Sequence, residues 1–472
     1  MEHLRSLRHQ QSLSVGKQLA LTVAQPQFWH HVFAGLIGLI LGIVSLISPW
    51  LGLLLVIGTA VIIALLSKPV LITYLLVSAI VLTSGMQRGH PIPFLIPNEV
   101  VLLLSVLVAI PFVVLKRWQR ITLPRHALLA IIILVGGTVV IPYVTYLLRA
   151  IPLDIADHLK LLAPVQYILI FWLFRNLPNS DAVRVRLIRW MLFWASIVAV
   201  IALLQTFRVG PVTALLSTWY RSAHEAVAGP GRATSVLGAW NGLGTFMMLN
   251  LVLGRTLLYS QGEELSGRVF LLITMGLCAM GLLVSGSYAG LLGTALGFLI
   301  IGRIERRMRA SLLLLLAIVI LILPLLPYIT QRFEYQFRSG GLLPQTLVFR
   351  FKVWREVFWP IVREHWLFGF RPVLPANVSW QYAESQYLTL LVQSGIASLF
   401  AHLAWIGLML LWLRRKLHSR HELSAVLARS TFTTLIVLTM MGLTNAVFTY
   451  SGVIEYVWIF LGLIGSVEEV SA

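Results

Sequence analysis

Acidic residues are few in this chain: 17 Asp and Glu among 472 residues, against 36 Lys and Arg. Cysteine is reduced to Cys278 inside an apolar run, where it reads as a small packing residue. Neither a disulfide framework nor a thiolate metal site can be built from one thiol. Charge is missing from the middle of the long apolar runs: Glu99 and Glu455 fall at their ends, and the other acids lie between them. Ion-coupled pumps place acids at mid-membrane, so this absence argues against that class. The chain also lacks a Walker-type glycine loop followed by Lys-Ser/Thr, a His-Glu-x-x-His helix and an Asp-x-Asp clamp; Asp154 and Asp157, three apart, read as flanking a loop. Nucleotide-driven and metal-driven mechanisms are left without support, and no metal or other cofactor is expected. No solenoid-period repeat and no Pro- or Ser-rich linker divides the chain. No small-residue cleavage site follows the basic head of Arg5, Arg8 and Lys17, so a retained first span is expected.

What the chain has in quantity is hydrocarbon. Hydrophobic residues make up 58% and charged residues 11%, and apolar runs of spanning length recur from Val32 to Val467. Soluble multidomain proteins do not show that pattern. A bilayer core of ~30 Å takes roughly 17 to 25 helical residues per crossing. Cut to that length, the runs predict an all-α integral membrane protein with about 14 transmembrane helices, 12 to 14 where the cuts are soft. The softest are at Ser48-Pro49-Trp50 and Gly286-Ser287, where the flanking stretch is too long for one crossing and tight for two, so re-entrant pairs are the alternative. The expected order is a cytoplasmic segment at 1–31, spans 1 to 11 within 32–328, a large outer loop at 329–385, spans 12 to 14 within 386–466 and a cytoplasmic tail at 467–472.

Basic residues orient this arrangement. Alternating the loops puts 23 of them on the side of the termini and 13 on the other, of which seven lie in the long loop. The asymmetry of the short loops makes the termini cytoplasmic. It also accounts for the net charge of +19 without a nucleic-acid partner. Trp29, Trp50, Trp118 and Trp412 stand near span ends and fit interfacial belts. Gly286/Gly290 and Gly293/Gly297 read as sites of close helix packing.

Two outer-face regions hold the remaining polar chemistry. The first is Gly229-Pro-Gly-Arg-Ala-Thr-Ser-Val-Leu-Gly-Ala-Trp-Asn-Gly-Leu-Gly, which carries Arg232 just before a span and Asn241 just inside it. The second is the long loop, where Arg350-Phe-Lys-Val-Trp-Arg-Glu-Val-Phe-Trp-Pro sets Phe351, Trp354, Phe358, Ile361 and Val362 on one helical stripe. An amphipathic helix on the membrane surface, kinked near Pro360, has this form. The loop continues through Phe368-Gly-Phe to Tyr382-Ala-Glu-Ser-Gln-Tyr-Leu, which opens the next span.

An Arg before Gly238-x-x-Asn-x-x-Gly244, a later Arg350-x-x-x-Trp354 helix, and the Glu384-Ser385 pair opening Tyr387-Leu-x-x-x-x-x-x-Gly-Ile396 resemble the O-antigen ligase and O-antigen polymerase superfamily over roughly residues 160 to 466. Members are multi-span glycosyltransferases of the bacterial inner membrane. The resemblance implies transfer of a sugar chain from a polyprenyl diphosphate-linked oligosaccharide donor to a glycan or lipid acceptor hydroxyl on the outer face, without a metal. Two departures bear on the activity. Glu384-Ser385 stands where ligases usually show His-Asn or His-Ser, and Ser287-Tyr288-Ala289-Gly290 where many members have Ser-Arg-Gly. The missing His favours a polymerase or another ligase-like enzyme. Some members have been described as involved in inorganic carbon uptake, so a transporter of a small anion or of a lipid-linked glycan is the alternative, and a non-catalytic membrane scaffold a third.

The residues support the transferase reading on their own chemistry. A diphosphate leaving group gains negative charge as the glycosidic bond breaks, and guanidinium groups stabilise it with forked geometry. Arg232 and Arg350 are the candidates; the other reading of each is an interfacial arginine on a phospholipid headgroup. Glu384 at the mouth of a span is placed to take the acceptor's proton, or else forms a salt bridge. Arg355, Arg371, Asn241 and Tyr382 are candidate substrate-binding residues of second rank.

Overall fold

In hydrocarbon a backbone must satisfy its own hydrogen bonds, and long runs of Leu, Ile, Val and Ala do so as helices. The computed structural model describes residues 63–89, 94–115, 124–177, 180–220, 232–260, 267–323, 326–337, 343–375, 378, 380 and 383–466. The chain divides into units Met1–Lys68 and Pro69–Ala472; of the first, residues 63–68 are described, with 63–67 helical. The expected terminal segments 1–31 and 467–472, the span at 32–47 and most of that at 51–66 lie outside the described residues.

All regular elements of the second unit are helical among the described residues. They are α1 (Leu71–Thr83), α2 (Pro97–Leu115), α3 (Arg125–Leu148), α4 (Ile155–Leu161), α5 (Ala163–Asn176), α6 (Asp181–Thr206), α7 (Gly210–Trp219), α8 (Trp240–Leu258), α9 (Arg268–Ser285) and α10 (Tyr288–Ile304). After these come α11 (Met308–Ile322), α12 (Leu326–Phe337), α13 (Gln345–Val353), α14 (Trp359–His365), α15 (Gln386–Lys416), α16 (Glu422–Met441) and α17 (Val453–Ser466). Local chemistry sets several boundaries. Asp154 and Asp157 form a reciprocal capping box that starts α4, and Ser180, Ser287 and Ser385 cap α6, α10 and α15 with their side chains. Wide π turns interrupt α3 at Gly136–Val140 and join α13 to α14 at Trp354–Phe358. Each ends two residues before a proline, Pro142 and Pro360. A proline lacks the N–H and crowds the carbonyl four residues back, and a widened turn relieves both.

Five of the helices, α3, α6, α9, α15 and α16, are long and apolar enough to cross a membrane, and α4 with α5, bent by 46°, makes a sixth if counted as one span. Five shorter apolar helices accompany them. The all-helical membrane class stands, whereas 14 crossings are not established. The break expected at Gly286-Ser287 is present, separating α9 from α10. The most deeply buried helices are α8 and α17. Around α17, Trp458 stacks on Trp405 of α15 at 5.4 Å and on Tyr167 of α5 at 6.4 Å, while Phe246 of α8 meets Tyr456 edge-on at 4.9 Å. Rings that large supply both area and a defined register to a helix contact.

The segment between α12 and α15 has a core of its own, closed by the start of α15. Val353, Phe358 and Val362 are buried with Leu374, Ala383 and Val392, and Trp354 and Ile361 pack against them. The amphipathic stripe therefore faces inward to the loop core, and only Phe351 of its members is exposed. Periodicity identified the buried face correctly but assigned it to the bilayer, because it carries no information on what covers it.

Candidate functional site

Arg350 of α13 and Trp354, which opens the π turn after it, stand four apart and both reach the chain just before α15. Trp354 donates its indole N–H to the carbonyl of Ala383. Arg350 donates from Nε to Glu384 Oε2 at 2.5 Å, closes the ion pair through Nη2, and reaches Asn445 Oδ1 from the same nitrogen at 3.5 Å. Glu384 takes a backbone φ of +48°, a region that costs a side-chain-bearing residue ~1–3 kcal/mol and persists only where surrounding contacts enforce it. Its side chain remains 39% exposed and that of Arg350 17%. A solvent-facing carboxylate and a half-sheltered guanidinium thus meet at the head of an apolar helix.

That helix head is clamped from the other side. Gln386 donates its backbone N–H to the Gly442 carbonyl at 2.8 Å and accepts from the Phe448 backbone N–H at 3.2 Å through its side chain, while Tyr387 donates to the Thr439 carbonyl at 2.5 Å. The connection between α16 and α17 is thereby part of the site. Tyr450, in the same connection, lies 3.7 Å from where a Cβ on Gly242 of α8 would stand, as does Ala239. One connection therefore reaches Arg350 through Asn445 and the start of α8 through Tyr450.

Arg232 approaches α8 from the preceding segment. Its guanidinium lies 4.5 Å from the ring centroid of Trp240, and its Nε is buried with no hydrogen-bond partner among the described residues. Asn241 accepts from the Ser287 hydroxyl at 3.2 Å, and Ser287 in turn accepts from the Gly290 N–H at 3.2 Å. Asn241 and the departure Ser287-Tyr288-Ala289-Gly290 thus meet where α8 and α10 begin.

The other candidates separate by environment. Arg371 is engaged by Asp157, at 2.8 Å from Nη2, and by the Pro152 carbonyl at 3.3 Å, and the same carboxylate accepts from the Val373 N–H at 3.0 Å. The Asp157 hydrogen bond raises the Arg371 pKa above its already high ordinary value. Arg371 ties the loop to α4. Arg355 is exposed and has no partner among the described residues, and Tyr382 lies outside them. Three residues not singled out from the sequence join the site or its support. Asn445 bonds Arg350, and Arg149 donates to the Gly369 carbonyl at 2.7 Å and meets His365 Nδ1 at 3.3 Å. The signal for Asn445 was its polarity at the end of an apolar run. Arg149 and His365, 216 positions apart, offered no sequence sign of their contact.

Among the described residues no group of three or more His, Cys, Asp or Glu is placed to hold a metal ion. Residues 270–403 match the family model described as O-antigen ligase. The matched segment contains Arg350 and Glu384 but not Arg232, Asn241 or Asn445. It supports the resemblance to the O-antigen ligase and polymerase superfamily, and with it glycosyltransferase-type chemistry on lipid-linked glycans in a multi-pass membrane protein. No curated protein matches the chain.

Proposed function

We propose that the protein is a membrane glycosyltransferase that transfers or polymerises glycan from a polyprenyl diphosphate-linked donor to an acceptor hydroxyl, on the outer face of the bacterial inner membrane, with both termini cytoplasmic. The observation that carries this reading is the Arg350–Glu384 ion pair beside Asn445 at the head of α15, inside the segment that matches the ligase family. A donor diphosphate competes with Glu384 for the guanidinium of Arg350, because both are anions suited to its forked donors. Once displaced, Glu384 is free to take the proton of the acceptor hydroxyl. The acceptor oxygen forms its bond to the anomeric carbon as the bond from that carbon to the phosphate oxygen breaks, and the diphosphate leaves with the electron pair. Arg350 then faces the charge as it develops, and Arg232 supplies a second guanidinium from the α8 side. No step calls for a metal, since the guanidinium groups take that place at the diphosphate.

The test is transfer by the purified protein from a polyprenyl diphosphate-linked oligosaccharide, comparing wild type with Arg350→Lys. The lysine keeps the charge and loses the fork, so turnover is expected to fall at least about tenfold. Wild-type turnover in a folded Arg350→Lys protein would remove Arg350 from the mechanism.

A further inference from the structure

Residues 232–239 lead into α8 as irregular chain with one 3-10 turn, Ser235–Leu237, and Arg232 stands at their head. Ala233, Thr234, Ser235, Val236 and Leu237 are all buried. Non-helical backbone packed among apolar helices needs protein partners for its N–H and C=O groups. Here they come from three directions. Ala233 donates its N–H to the Val284 carbonyl of α9 at 3.1 Å, and the Val236 carbonyl accepts from the Gly85 N–H at 3.0 Å. Thr234 and Ser235 are served together by one side chain. Oε1 of Gln205, in the last turn of α6, accepts from the Thr234 N–H at 3.0 Å and the Ser235 N–H at 2.8 Å, and its Nε2 donates to Thr234 Oγ1 at 3.2 Å.

The local backbone is shaped for this contact. Thr234 is right-handed and Ser235 left-handed at φ +49°, an order that turns consecutive N–H groups toward a single oxygen. A residue with a side chain keeps such a φ only where its surroundings enforce it. The Ser235 hydroxyl adds a bond to the Val198 carbonyl at 2.8 Å. By contrast, α6 does not need Gln205 to keep its own place. Trp190 and Trp194 donate to Ser78 of α1 at 3.0 and 2.9 Å, and Ser196 donates to Thr274 of α9 at 3.1 Å. Loss of the Gln205 amide therefore falls on the irregular segment and not on the helix packing. Arg232 is two residues from Thr234, and planar peptide units pass a shift of Thr234 on to it.

We propose that Gln205 is a positioning residue for Arg232: it fixes the backbone of Thr234 and Ser235 so that the guanidinium, over Trp240, is held ready for the diphosphate of the donor. The proposal rests on the reading of Arg232 as a diphosphate-binding group. Gln205 acts through Arg232 and not on the substrate. Its contribution is preorganisation, and a misplacement of ~1 Å at a group that faces developing charge costs up to ~10²-fold in rate.

The full-length protein, purified in detergent, is compared with four variants. Gln205→Leu keeps much of the volume and removes the amide. Gln205→Glu keeps an acceptor for both N–H groups, and the Thr234 hydroxyl turns to donate to it. Arg232→Lys and the Gln205→Leu/Arg232→Lys double variant complete the set. Hydrogen exchange at the Thr234 and Ser235 amides, read by mass spectrometry, reports the clamp without reference to activity. Gln205→Leu is expected to speed that exchange at least about tenfold. It should also lower kcat/KM for a polyprenyl diphosphate-linked donor about tenfold, with the acceptor KM within about twofold of wild type. Gln205→Glu should restore both readouts to within about threefold, since the acceptor is what the buried N–H groups require. In the Arg232→Lys background Gln205→Leu should cost little more, because two residues that act through one guanidinium are not additive. Unchanged exchange in Gln205→Leu, or losses that multiply in the double variant, would overturn the proposal. Wild-type transfer by Arg232→Lys would overturn the reading on which it rests, and faster exchange in Gln205→Leu would then mark a clamp on the segment alone.

Discussion

Arg350 and Glu384, 34 residues apart in sequence, are joined by an ion pair in which Glu384 is held in the left-handed region of backbone space. Helix α13 enforces that geometry from one side through Trp354 and Ala383, and the connection after α16 enforces it from the other through Gly442 and Gln386. The pair is a closed arrangement in which each partner occupies the other. Two roles for the carboxylate follow from this contact, as proton acceptor or as anchor for the arginine, and they differ in what its replacement does.

Glu384→Gln separates them. Glutamine retains size and a hydrogen-bond acceptor for Arg350 but not the basicity, so a general-base role predicts a rate fall of ~10²- to 10⁴-fold. Transfer measured with a purified donor, alongside thermal unfolding to establish that the variant folds, reads this directly. Near wild-type turnover by folded protein would dismiss Glu384 as the base and leave it as an anchor.

The contact of His365 with Arg149 predicts a pH dependence of stability. Burial and the Arg149 guanidinium lower the His365 pKa below its ordinary 6.5, with Glu364 acting in the opposite direction. The folded chain then resists protonation at this ring while the unfolded chain accepts it. The contribution is fully present above about pH 6.5 and is lost as pH falls through the folded value. The melting temperature of detergent-purified protein should drop between pH 7.5 and 5.5, and His365→Gln should flatten that drop. An unchanged slope in the variant would assign the dependence to other groups.

Transfer should survive chelation. The proposed centre uses guanidinium groups at the diphosphate, so incubation with EDTA is expected to leave the initial rate within about twofold. Loss of activity that magnesium or manganese restores would point to a metal-assisted step and away from the arginines as sole electrophiles.

The basic-residue asymmetry predicts that the outer loop and the end of α15 lie on opposite sides of the membrane. In a Cys278→Ser background, cysteine at the exposed position Glu364 should react with an impermeant thiol reagent in intact spheroplasts, and cysteine at the exposed position His418 should react only after permeabilisation. The reverse pattern would invert the topology and put the proposed transfer site on the cytoplasmic face.

By itself the sequence determined the class of protein: apolar runs and self-satisfying backbone leave helices as the solution in hydrocarbon, and α3, α6, α9, α15 and α16 lie close to where those runs placed them. It also supplied Arg350, on the amphipathic helix of the long loop, and Glu384, at the mouth of an apolar run, as candidates. Only the tertiary structure decided that the two touch, that Asn445 stands with them, and that the amphipathic stripe of α13 and α14 faces a core within its own loop. The interruption of α15 shows the reason. Gly395 leaves helical geometry at φ +75° in the middle of a predicted span, where the backbone of Leu367 occupies the space a Cβ would take and Ile396 donates to the Trp366 carbonyl at 2.8 Å. Gly369 leans the same way, with its own missing Cβ facing the backbone of Gln393 and Ser394. Hydrophobic period and local propensity act over a few turns of one helix. Contacts between segments tens or hundreds of residues apart depend on how the helices stack, and that is set by the shapes of side chains which no single stretch of sequence contains.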